Sequence, residues 1–83
     1  MRAEIWLITS RAAWETFKAR QPTPGDVWLG ADVLSDVERA RLQSTGWKFS
    51  VFVDVLDPSD GEDIADRMNT VSEHHPGATV LVA

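Results

Sequence analysis

Three groups of side chains have the types and spacings that could do chemistry. The first follows the apolar runs. Ser10 and Arg11 come after Ile5–Thr9, Gly30 and Asp32 come after Val27–Leu29, and Asp54 and Asp57 end the run Phe49–Leu56. If those runs are parallel strands, their carboxyl ends are where an open sheet binds ligands. Hydroxyls, an arginine and a helix N-terminus there could hold a phosphate, and two aspartates could hold a magnesium ion. No glycine-rich loop follows the first run, so neither a dinucleotide fingerprint nor a P-loop is present. Ser10, Ser35 and Ser59 are also each placed to cap a helix, which gives them a structural occupation.

The second group is His74-His75, the only imidazoles. Adjacent helical residues point about 100° apart, so the two rarely ligate one metal. Their place near a helix C-terminus suits the dipole, and no HExxH-type spacing occurs. The third group is the acidic run Asp57–Asp63. As a calcium loop beginning at Asp57 it would need glycine where Glu62 stands, and capping of a helix is the better account. The reading is therefore of no catalytic residue, no metal site and no cofactor.

The fourth feature is compositional. Four tryptophans occur in 83 residues that contain no tyrosine, and thirteen carboxylates face eight lysines and arginines, for a net charge of −5. An acidic surface opposes non-specific nucleic-acid binding and steers basic partners inward. Tryptophan beside carboxylate is a common interface pairing. Trp6 and Trp47 fit a core by alternation. Trp14 and Trp28 are less easily placed, and with Asp26, Asp32 and Asp36 they are the candidate partner-binding residues. The competing ligand-binding set is Ser10, Arg11, Asp54 and Asp57.

The elements that must position these groups alternate. Glu4–Thr9 is apolar on both sides, as a central strand would be. Ser10 caps a helix from Arg11 to about Arg20, with Ala13 and Phe17 on one face, ended by Pro22 and Pro24-Gly25. Asp26–Gly30 is a short strand or a loop that plugs the core. Ser35 and Glu38 have capping-box spacing for a helix to Ser44, with Val37 and Ala40 inward and Gly46 left-handed at its end. Trp47–Leu56 reads as the strongest strand, with Trp47, Phe49, Val51, Val53 and Val55 on a deep core face and a mixed opposite face. Lys48, Ser50 and Asp54 on that second face suggest an open sheet face, an edge position or an antiparallel neighbour. Ser59 and Glu62 open a third helix with the stripe Ile64, Met68, Val71, His75, and Pro76-Gly77 ends it before a last strand, Ala78–Ala83.

The expectation is one α/β domain over residues 1–83. It has a three- to four-stranded, mostly parallel sheet with three helices in the order β-α-(β)-α-β-α-β. No run approaches the roughly 18 apolar residues of a membrane span, no signal peptide is legible, and cysteine is absent. These point to a cytoplasmic protein. The functional expectation is a small acidic non-enzymatic module, such as an inhibitor, immunity protein or antitoxin, that docks a basic protein partner. The alternative is a small enzyme or module that binds nucleotide or phosphate at the strand ends. A homodimer that completes the sheet is a third arrangement consistent with a thin core.

Overall fold

The computed structural model describes residues 4–83. Four strands and three helices alternate: β1 (Glu4–Ile8), α1 (Arg11–Ala19), β2 (Asp26–Leu29), α2 (Asp36–Ser44), β3 (Lys48–Val51), α3 (Gly61–His74) and β4 (Thr79–Val82). The sheet order is β3-β2-β1-β4, and every pairing is parallel. The segment around Val27 is thus a strand, next to the centre.

β1 is central because it can be buried on both sides. Ile5 and Leu7 lie in one core with Val71, Phe52 and Leu56, while Ile8 lies in the other with Val27, Leu29, Trp14 and Phe17. Ile5, Leu7 and Ile8 are almost completely enclosed, and each such side chain contributes about 2 kcal/mol by leaving water. α1 and α2 supply side chains to the Ile8 core, and α3 to the Ile5–Leu7 core, so the sheet is covered from both faces.

The helices begin as their caps dictate. Ser10 accepts from the Ala13 amide, and Ser35 and Glu38 form a reciprocal capping box. α3 differs from expectation by one residue. Its cap is Asp60, which accepts from the amides of Glu62 and Asp63, while the Ser59 hydroxyl donates to Asp57 at 2.6 Å. Asp takes the cap because its own side chain reaches both first-turn amides. Gly46 has φ +91°, the left-handed conformation expected of it.

Three expectations are corrected. Trp47–Leu56 is not one long central strand: β3 ends at Val51 and lies at the sheet edge. Its partner among the described residues, β2, ends at Leu29. The chain therefore leaves the sheet after Phe52, whose amide makes a last bond to the Leu29 carbonyl at 2.8 Å. Beyond it the expected burial inverts, with Phe52 and Leu56 inside and Val53 91% exposed. Gly30 makes this possible, because a Cβ there would meet Leu56 at 3.2 Å.

The inward face of α2 is also reversed. Val37 and Ala40 point to solvent, and Leu42 is the buried residue. Val33 and Leu34, in the preceding loop, fill the space that Val37 was expected to take. Finally, α3 stops before His75, which is its C-cap with φ −131° and ψ 68°, although the half-buried side chain still meets Trp28 on the side of Ile64, Met68 and Val71.

Val71 is the one residue of α3 that is fully buried. Val71→Ala is expected to lower unfolding free energy by about 2 kcal/mol through lost burial and a residual cavity. Val53→Ser should stay within about 0.5 kcal/mol of wild type. Paired urea titrations read both.

Candidate functional site

In a wholly parallel sheet whose strands are joined through helices, every strand-to-helix loop is on the same end. The β1–α1, β2–α2 and β3–α3 loops are therefore gathered at the carboxyl end of the strands. A backbone bond from the Ala31 amide to the Asp54 carbonyl, 3.0 Å, ties the second loop to the third.

The strand order reverses between β1 and β4, the usual place for a ligand crevice in such a sheet. Here the buried Thr9 hydroxyl donates to the Ala83 carbonyl at 3.0 Å and bridges the two strand ends. Ser10 beside it is committed to the α1 cap. Arg11 is a latch between helices. Its Nη1 donates to both carboxylate oxygens of Glu38, at 2.6 and 2.5 Å, and to the Val33 carbonyl at 3.3 Å, while Nη2 pairs with Glu15 at 2.9 Å. Glu38 also accepts from the Ser35 amide at 3.0 Å. That amide first, and the guanidinium second, hold the Glu38 carboxyl down at about 2. The same contact raises Arg11 above its ordinary value.

Asp54 pairs with Arg67 at 3.3 Å, and Arg67 also holds Asp63 at 3.2 Å and lies over the Phe52 ring. The Asp57 carboxyl accepts first from the Ser59 hydroxyl and then from its amide, which together lower its pKa. The four alternative ligand-binding residues are thus at one end of the molecule, each with a local partner. They do not converge on one point: Ser10 and Arg11 serve α1, while Asp54 and Asp57 serve the β3–α3 loop. Among the described residues, no group of three or more histidines, aspartates or glutamates is placed to hold a metal ion.

The partner-binding candidates are distributed over three surfaces. Asp32 and Asp36 are exposed at the carboxyl end, and Asp36 is 98% exposed even while 3.4 Å from Arg39. Trp14 is only 6% exposed and borders a groove between α1 and α2. Trp28 and Asp26 face the α3 side. There the Trp28 indole donates to His75 Nε2 at 3.2 Å, and its ring packs on Phe52 and His74. Trp28 and the two histidines therefore form a cluster whose members are 47 residues apart, which no local sequence pattern could reveal.

The exposed valines were also missed. Val37, Val53, Val55 and Val82 are the large apolar side chains most open to solvent. Val37 is in the first turn of α2, Val53 and Val55 are in the β3–α3 loop, and Val82 ends β4, so all four are at the carboxyl end. Alternation assigned Val53 and Val55 to the core, and the early end of β3 is what exposes them.

No protein-family model, curated protein or solved structure matches the chain.

The Glu38 carboxyl has a direct consequence for stability. Its folded pKa is below its unfolded value near 4.5, so its contribution is complete above that value and is lost as pH falls toward about 2. Glu38→Gln should be less stable than wild type at pH 7, with the gap closing through that window. Melting temperature measured from pH 7 to pH 2 reads the two curves.

Proposed function

We propose that the protein is a non-enzymatic binding module that docks a basic protein partner against the carboxyl end of its sheet. The observation that carries this reading is a segregation of charge with exposed apolar side chains inside the acidic zone. Asp32, Asp36, Glu38, Asp54, Asp57, Asp60, Glu62 and Asp63 all belong to the loops and first helical turns of that end. Among the described residues, the cations there, Arg11, Arg39 and Arg67, are each paired with a carboxylate. Lys18, Arg20, Arg41 and Lys48 lie toward the opposite end, at the ends of α1 and α2 and the start of β3.

Some of the acidic residues have structural duties. Asp60 caps α3, and Glu38 completes a capping box. Those duties do not account for Val37, Val53 and Val55 standing in water among them. Apolar side chains within a charged ring are the composition of a protein-binding patch, in which burial supplies affinity and charge supplies steering. A basic partner with apolar side chains at its centre meets both demands. An inhibitor, immunity protein or antitoxin would act in this way, by covering a cationic surface. The phosphate-binding alternative is not favoured, because Ser10, Arg11, Asp54 and Asp57 are occupied by caps and ion pairs.

Affinity capture from the source cell with three baits tests the reading. Wild type should retain one basic protein in stoichiometric amount. The double variants Asp32→Lys/Asp36→Lys and Val53→Ser/Val55→Ser should each lose it, with melting temperatures close to wild type. Equal recovery on all three baits, or no stoichiometric partner on wild type, contradicts it.

A further inference from the structure

On the opposite face from α3, helices α1 and α2 make little direct contact. The Arg11–Glu38 pair joins their N-terminal turns. Beyond that latch a groove of about 410 Å³ opens between them. Its floor is Trp14, Phe17, Leu34, Leu42 and Trp47. The aromatic rings are mutually packed: Phe17 lies 5.9 Å from Trp14 and 5.8 Å from Trp47. That volume is within the range of small-molecule sites, and the floor is apolar as theirs are.

The walls decide which ligand fits. Lys18 and Arg41 border the groove. Glu38 borders it too, with its charge paired to Arg11. Lys18 is only loosely held by Glu15, at 3.6 Å. Arg41 makes no ion pair among the described residues. In a chain of net charge −5, the two cations that border this apolar trough outnumber its one carboxylate.

We propose that the α1–α2 groove binds a small aromatic carboxylate, with its ring against Trp47 and its carboxylate directed to Arg41 and Lys18. Trp47, half-buried, offers the ring for stacking, while Trp14 and Phe17 are almost sealed behind it. A guanidinium suits a carboxylate because its planar fork can donate two parallel hydrogen bonds. This site borders the acidic end at Leu34 and Glu38, and its test with a small probe does not depend on what docks at that end.

The probe is 2-naphthoate, titrated into ¹⁵N-labelled full-length protein, with 2-naphthylmethylamine as the cationic counterpart. The expected result is saturable movement of the Trp14 and Trp47 indole resonances with naphthoate and none with the amine. Arg41→Glu, a surface change that should leave the fold intact, is expected to weaken naphthoate binding by about tenfold or more. Leu42→Trp, which fills the floor, should abolish it. The proposal is overturned if naphthoate does not bind, if the amine binds equally well, if Arg41→Glu binds like wild type, or if the responding indole is Trp28.

Discussion

Two hydrogen-bonded ladders along β1 hold the rest of the structure in place. Trp6 lies opposite Val27 on one side and Leu81 on the other, and Leu7 opposite Trp28 and Val82. A strand paired on both edges and covered on both faces must be apolar throughout, and Glu4–Ile8 is so after its first residue. Because β2 and β4 both run parallel to it, each connection must cross a face of the sheet. This requirement lays α1 and α2 against one core and α3 against the other.

The same parallel arrangement sorts the surface. Helices that return antiparallel to the strands all start at one end, where their unsatisfied amides favour carboxylates. Ser35 with Glu38, and Asp60, meet that demand directly. The acidic end is thus partly a by-product of topology. Asp32 and the exposed valines go beyond what capping needs. The loop that carries Val53 and Val55 is held open by Leu56 packing close to Gly30 and by the Ala31–Asp54 backbone bond. A docking surface and a structural joint therefore share one segment.

Much of the fold was legible because the signals were local. The period of two in Ile5–Ile8, the Ser35–Glu38 spacing and the stripe Ile64–Met68–Val71 each report their own element. The failures come from information held elsewhere in the chain. Val53 and Val55 continue a perfect alternation, yet they leave the sheet because β2 has no residue left to pair with them. Val37 is displaced from the core by Val33 and Leu34, which arrive from the preceding loop. The candidate residues fared in the same manner. Asp32 could be placed at a strand end from sequence alone. That Trp14 would border a groove while Trp28 met His75 depended on which face each helix covers, and that is a tertiary fact.

The central claim is that β1 is the interior strand of the parallel order β3-β2-β1-β4, since both the acidic end and the groove exist only in that arrangement. The most direct measurement is the set of cross-strand backbone nuclear Overhauser effects in labelled protein. The account predicts contacts from Trp6 and Leu7 to Val27 and Trp28 on one side and to Leu81 and Val82 on the other, all in parallel register. Contacts from β1 to only one neighbour, or an antiparallel pattern at either side, would contradict it.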